Sequence, residues 1–180
     1  MMYVILFLLI LGYLRFLSPL IITYQKVDKR AKAPTKAYHK AACFDVYSLE
    51  TKTISPGNWK ELRTGLVFAP WPHIYIPFLN ITFTPFGNVA YEIHTRSGLA
   101  LKRGIRNHLG IIDNDYRGEI TIIMYNHQNE KSAHSYPYTI KEGDKIAQIK
   151  FYRVPPVWMW KRNKLSKSNR GENKFGSSGR

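Results

Sequence analysis

Cysteine occurs once in these 180 residues, at Cys43, so no intrachain disulfide can form, and the chain suits a reducing compartment. Zinc-ligand spacings are missing, and so is any Ser-His-Asp signature of a serine hydrolase. Nowhere does a long helical period persist, which argues against an all-helical architecture. Acidic side chains are scarce: 12 Asp and Glu stand against 27 Lys and Arg, a formal net charge of +15. That surplus gives solubility and general adhesion to polyanions, and it would also draw a triphosphate or a nucleic acid. A small site needs few of those charges, so the total specifies no nucleic-acid partner. With 44% hydrophobic and 22% charged residues, the composition suits one globular domain with a real core.

The amino terminus holds the one long apolar run. Met1 to Leu14 is almost wholly apolar, Arg15 interrupts, and Phe16 to Ile22 follows with Ser18 and Pro19 inside. A spanning helix wants roughly 20 apolar residues, a length reached only by tolerating Arg15. No cation precedes the run and no small-residue cleavage site follows it, which argues against a secretory signal. Residues 1–20 therefore read as an apolar extension, either a membrane anchor or a segment packed on the domain. If residues 1–22 insert, Lys26, Lys29, Arg30 and Lys32 keep the domain on the cytosolic side.

Residues 21–160 read as one β domain. Ile21–Val27, Ala42–Tyr47, Trp59–Leu62, Leu66–Phe68, Val89–Ile93, Ile120–Tyr125 and Ile146–Val154 are short and rich in β-branched and aromatic residues. Turn chemistry separates them, as in Ser55-Pro56-Gly57-Asn58 and Glu142-Gly143-Asp144. Ser97–Lys102 is the one short helix that the sequence predicts. The fold class is all-β, a sandwich or barrel. Within residues 70–88, Ile74-Tyr75-Ile76 and Ile81-Thr82-Phe83-Thr84 predict an extra apolar hairpin, either a contact site or an insertion folded on its own subunit. Residues 161–180 form a basic, polar arm.

The densest chemistry lies from Asn107 to Ile120. Leu109, Ile111 and Ile112 suggest a strand entering a turn at Asp113-Asn114-Asp115, and Gly118 opens onto the strand Ile120–Tyr125. This reads as a β-hairpin, with a carboxylate and the Tyr116 ring beside several backbone groups around a concave space.

Five segments share one order and spacing: Ala41–Ser48, Arg96-Ser97-Gly98-Leu99-Ala100, Asn107–Ile120, Gly143–Ile149 and Arg170–Gly179. Together they resemble the five motifs of the homotrimeric dUTPase (dUTP diphosphatase) family, from about Ile21 to the last residue, with Ala33-Pro34-Thr35 fitting the family's early segment. The resemblance implies a β-jelly-roll (β-clip) subunit assembled as a homotrimer with active sites shared between subunits. It also implies hydrolysis of dUTP to dUMP and pyrophosphate, with Mg2+ as cofactor and a cytoplasmic or nuclear location.

The family likeness also implies a role for each matching residue. Asp113 would activate the attacking water. Gly110, Ile111, Ile112 and Thr121 would read uracil through backbone groups, and the Asn107 amide would complete the base contact. Such a pocket excludes thymine by its methyl group and cytosine by its exchanged donor and acceptor. Tyr116 would pack on the deoxyribose and leave no room for a 2′-hydroxyl. Arg96, Ser97 and Gly98 would present a cation, a hydroxyl and N–H groups to phosphate, and Gln148 would reach the α-phosphate. Asp45 would act near the metal through water. From the carboxyl-terminal arm, Arg170 would pair with the γ-phosphate, Phe175 would cover the uracil, and Gly176, Ser177 and Ser178 would wrap phosphate oxygens.

Three residues depart from the pattern. Cys43 and Lys174 stand where glycine is usual, and Thr95 stands where proline is frequent, which is expected to loosen the turn before Arg96. Two other functions fit parts of the sequence. A dCTP deaminase, or a bifunctional deaminase–diphosphatase, would need a catalytic glutamate such as Glu119. A non-catalytic nucleotide-binding or signalling protein would use the basic arm and residues 70–88 to hold a partner.

Overall fold

Alternation of apolar and polar residues builds this chain, and every strand pairing is antiparallel. The computed structural model describes residues 3, 5–6, 19–71, 74–79, 81–83, 88–129, 131, 135–169 and 171–172. Five short sheets result among these residues. A four-stranded sheet runs β10 (Gly110–Ile112), β8 (Asn88–Thr95), β13 (Lys145–Val154) and β2 (Phe44–Tyr47). A three-stranded sheet runs β4 (Trp59–Arg63), β11 (Thr121–Asn126) and β9 (Ile105–Asn107). Strand β1 (Ile21–Lys26) pairs with β5 (Leu66–Trp71), and β3 (Lys52–Ile54) pairs with β12 (Tyr138–Ile140). The helix α1 (Ser97–Arg103) is one residue longer than predicted.

The core lies between the two larger sheets. Val46, Ile93, Ile146 and Ile149 from one meet Leu62, Ile105, Ile122 and Met124 from the other, all under 5% exposed. In β11 the alternation is regular, with Ile122, Met124 and Asn126 inward. Truncating any of these apolar side chains to alanine would cost about 2–5 kcal/mol. One end of the core is aromatic, where Phe68 and Tyr91 both stack against Phe151 at 5.5 and 5.3 Å between centroids.

Three strands are additional to the predicted set: β3, β9 and β12. Each has three residues, too short for a period of two to show. The predicted extra hairpin is present, as β6 (Ile74–Ile76) paired with β7 (Ile81–Phe83) in a two-stranded sheet of its own. Residues 155–169 hold no helix or strand and are exposed, with Val157, Trp158, Met159 and Trp160 each at least 75% accessible. Among the described residues no helix is long and apolar enough to cross a membrane. Most of the apolar run expected to do so lies outside those residues.

One expectation is corrected. Leu109–Ile112 and Ile120–Tyr125 are not the two arms of a single hairpin. Strand β10 pairs with β8 (Gly110↔Ile93, Ile112↔Tyr91), while β11 pairs with β4 and with β9 (Met124↔Asn107). Ile112 packs against the core beside β8, and Ile122 and Met124 enter it from the opposite sheet. The arms belong to different layers, so they part, and residues 113–120 bridge the gap.

Candidate active site

That bridge carries the first half of the site. Ile111, Ile112, Asp113, Tyr116, Glu119, Ile120 and Thr121 line an open cleft of about 290 Å³. Asp113 is exposed at its rim, and its carboxylate has no hydrogen bond or ion pair among the described residues. A carboxylate left free in this way can accept a proton from a water in the cleft. The Tyr116 ring lies over Gly118: a Cβ added there would stand 2.2 Å from the Tyr116 hydroxyl oxygen and 2.4 Å from Cζ. Only glycine lets the ring rest in that place. The hydroxyl then donates to the Glu119 carbonyl at 3.2 Å, fixing the ring's outer end.

Gly110 begins β10 just above the cleft, and a Cβ added to it would meet nothing within 4 Å. Nothing inside the subunit demands glycine there. Asn107 is buried and stands apart from the cleft. Its Nδ2 donates to the carbonyls of His108 at 3.0 Å and Ile93 at 3.4 Å, and its Oδ1 is buried without a partner. It lines a neighbouring cleft of about 690 Å³ with His94, Thr95, Arg106, His108 and Leu109. Thr95 is tied to β9: its hydroxyl accepts the Asn107 N–H at 3.2 Å and donates to the Asn107 carbonyl at 3.4 Å.

The second half gathers at the other end of the four-stranded sheet, around Asp45. This carboxyl group is 2% exposed. Its Oδ2 accepts from Lys145 Nζ at 2.8 Å, and its Oδ1 accepts from Gln148 Nε2 at 3.2 Å and faces Arg96 Nε at 3.4 Å. Burial pushes the Asp45 pKa up, but Lys145, Gln148 and Arg96 outweigh it and hold the group below its ordinary value. Lys145 moves the opposite way, chiefly because it donates to Asp45.

The geometry depends on an irregularity in β13. Residues 145 and 148 are three apart and would point to opposite faces of a regular strand. A register shift between Lys145 and Ala147 inserts Ile146 as a bulge, so both side chains reach Asp45. Arg96, at the start of α1, adds a bond from Nη1 to the Lys145 carbonyl at 2.9 Å. Ser97 and Gly98 occupy the exposed first turn, where N–H groups have no intrahelical acceptor, and a Cβ on Gly98 would meet nothing within 4 Å. Lys32 lies over the Tyr47 ring 5.4 Å from its centroid, with Lys145 at 5.9 Å, so cations outnumber the single carboxylate. Thr35 bridges Asp45 through two backbone bonds, which ties the early segment to this half.

Residues 113–120 form a finger, and the cleft beside it, the finger cleft, is lined by none of Asp45, Arg96, Ser97, Gly98 or Gln148. The two groups of candidate site residues thus do not share this cleft. Arg170, Phe175, Gly176, Ser177 and Ser178, together with Lys174, lie outside the described residues. Sequence reasoning passed over Lys145, which sits beside a motif glutamine, and Arg63, which belongs to none of the motifs.

Two features bear on the other expectations. The Glu119 carboxylate is spent on Arg63 (2.9–3.2 Å) and on the Gly65 N–H at 2.8 Å, which leaves it poorly placed as the catalytic glutamate of a deaminase. Asp45 has both oxygens engaged by side chains, and no group of three His, Cys, Asp or Glu among the described residues is placed to hold a metal ion. The residues therefore fit an ion that arrives on a ligand's oxygens, and they do not fit a protein-built cage.

The dUTPase family profile matches residues 29–179. The chain is 35% identical to the deoxyuridine 5'-triphosphate nucleotidohydrolase of Nautilia profundicola over 158 residues, covering 87% of this chain and 96% of that one. It is also 35% identical to the Yarrowia lipolytica protein of the same name over 156 residues, 85% of each. Among solved structures, the dUTPase of Staphylococcus bacteriophage 80alpha with dUpNHpp superposes with a TM-score of 0.72 at 22% identity, covering 88% of this chain and 98% of that one. A variant dUTPase from phage phi11 of S. aureus, described as coordinating a structural Mg(II) ion, gives 0.65 at 19% identity, covering 81% and 98%. The match spans both half-sites and nearly the whole β framework, and the chain belongs to the dUTPase family.

Proposed function

We propose that this protein hydrolyses dUTP to dUMP and pyrophosphate, with the finger cleft reading the nucleoside and the Asp45 cluster positioning phosphate. The observation that carries the mechanism is the Asp113 carboxylate, unpaired among the described residues, at the rim of a cleft that also holds Tyr116, Ile111, Ile112 and Thr121. Asp113 orients a water toward the α-phosphorus and takes its proton as the P–O bond forms. The bond to the bridging oxygen breaks and pyrophosphate leaves. Backbone groups of Gly110, Ile111 and Ile112, with Thr121, bind the uracil edge, and Asn107 has one buried oxygen still free to accept. Tyr116 covers the sugar. Arg96, the Ser97 and Gly98 N–H groups and Gln148 hold phosphate oxygens, with Asp45 and Lys145 fixing Arg96 and Gln148 in place. Mg2+ would be held through the triphosphate oxygens, with Asp45 near it through water, and would supply neutralisation of the phosphate charge.

The two half-sites are separate in one subunit, so the complete site forms between copies in a homotrimer. Gly98 and Gly110, which face open space in the subunit, then admit the close approach of ligand or neighbour. Residues 170–178 close over the nucleotide from a further copy.

Pyrophosphate release from dUTP, measured beside dCTP, dTTP and UTP with Mg2+, tests the activity. Release from dUTP alone is expected, and ammonia released from dCTP would favour the deaminase reading. The shared site is tested by mixing subunits. Asp113→Asn and Arg96→Ala chains, each inactive alone, should recover activity when co-assembled, because some sites then combine an intact finger with an intact cluster. Failure to recover would place both halves in one chain.

A further inference from the structure

The turn that joins β4 to β5 grips the far end of the finger. Arg63 donates from Nε and Nη2 to both oxygens of Glu119, and the Gly65 N–H adds a bond at 2.8 Å. One residue on, the buried Thr64 hydroxyl donates to the Ile120 carbonyl at 2.6 Å, and the Ile120 N–H donates to the Leu66 carbonyl at 2.8 Å. The turn itself tolerates no side chain at its glycine. Gly65 has φ +68°, and a Cβ there would stand 2.7 Å from that of Ala31, so neither backbone nor neighbour admits a side chain. Residues 119 and 120 are thereby held to a rigid part of the framework.

Those residues are the ones that set Tyr116. Its hydroxyl donates to the Glu119 carbonyl, and its ring rests on Gly118, immediately before Glu119. The ring's outer end therefore rests on a backbone to which the Arg63 guanidinium is tied through the Glu119 side chain. The base-reading strand β10 is fixed separately, by pairing with β8. We infer that Arg63 is a positioning residue for sugar discrimination: through Glu119 it holds Tyr116 where a 2′-hydroxyl would collide, without touching the nucleotide. The inference rests on Tyr116 covering the deoxyribose. Two carboxylate–guanidinium bonds in a planar fork are what a lysine cannot reproduce.

The test compares kcat/KM for dUTP, UTP and dTTP in the full chain carrying Arg63→Ala, Arg63→Lys, Glu119→Gln or Tyr116→Ala. In Arg63→Ala the dUTP-to-UTP ratio should fall by about tenfold or more, while the dUTP-to-dTTP ratio stays unchanged. Arg63→Lys should fall between Arg63→Ala and the parent, and Glu119→Gln should follow Arg63→Ala. A merely structural role would lower all three substrates together and leave both ratios unmoved, and that result overturns the inference. Thermal melting of each variant identifies any that fails to fold, and Glu119→Gln, which keeps an acceptor for Gly65, then carries the comparison. Should Tyr116→Ala leave the dUTP-to-UTP ratio unchanged, the assignment of Tyr116 itself fails, an outcome distinct from failure of the Arg63 link.

Discussion

Asp113 and Asp45 are the same residue type in opposite circumstances. Asp113 stands exposed at the rim of the finger cleft with no partner among the described residues, while Asp45 is 2% exposed with both oxygens taken by Lys145, Gln148 and Arg96. A carboxylate can act on a ligand only with an oxygen to spare, and it can fix its neighbours only if its oxygens are spent on them. The contrast extends to the surroundings. The finger spans two sheets and leaves room for a nucleoside, whereas the cluster sits on paired strands with its cations held at set positions.

The contrast is broken most directly at Asp113. Asp113→Asn should lower kcat by about a thousandfold, within the range of lost general-base catalysis, while nucleotide binding and melting temperature hold. Turnover near the parent's would show that the base lies elsewhere. Deleting residues 170–180 should lower kcat/KM on the order of a hundredfold through lost positioning, with the melting curve unchanged. A fully active truncation would remove the arm from the mechanism.

Asp45 should respond in the other currency, stability. Asp45→Asn leaves Lys145 and Arg96 without their anion and should cost on the order of 2 kcal/mol in chemical denaturation, less than a fully buried pair because both cations reach solvent. Its folded pKa is depressed, so its stabilisation is complete above the ordinary aspartate range near pH 4 and is lost as pH falls through the lower folded value. The acid side of the stability profile should therefore flatten in Asp45→Asn. An acid limb identical to the parent's would show that the cluster does not stabilise the fold through this carboxylate.

Gly98→Ala and Gly110→Ala sharpen the comparison further. Each should change stability by less than about 1 kcal/mol, since an added Cβ meets nothing in the subunit, yet lower turnover by about tenfold if ligand or neighbour approaches there. The smallest effect is expected at Tyr91, whose buried hydroxyl lacks a partner and whose pKa burial pushes up to about 12. Tyr91→Phe should leave stability within about 1 kcal/mol of the parent or raise it slightly.

How much of this was legible in the sequence depended on range. The all-β class, the short helix and the extra hairpin followed from local chemistry: β-branched runs, Leu-Ala-Leu-Lys, and turn residues at the boundaries. Asp113, Tyr116 and Thr121 could be grouped because they lie within nine residues of one another in the chain. Pairing partners could not. Whether Ile112 joins Ile122 or Tyr91 is decided by which sheet buries it, and no periodicity within three residues reports that. Arg63 and Glu119 are 56 positions apart, and their link is visible only after folding. Asn107 was placed by its spacing from Asp113, but spacing is silent on where its amide points. The structure turns the amide's N–H groups toward the carbonyls of Ile93 and His108.

The bulge at Ile146 behaves as a phase shifter. Flattening the bulge while keeping all four residues from Lys145 to Gln148 would make the ladder between β13 and β2 more regular. It would also swing either the lysine or the glutamine to the far side of the sheet, since residues three apart in a regular strand face opposite ways. A tidier strand would then be a poorer clamp for phosphate, so the irregularity is where the fold gives up ladder perfection for aim.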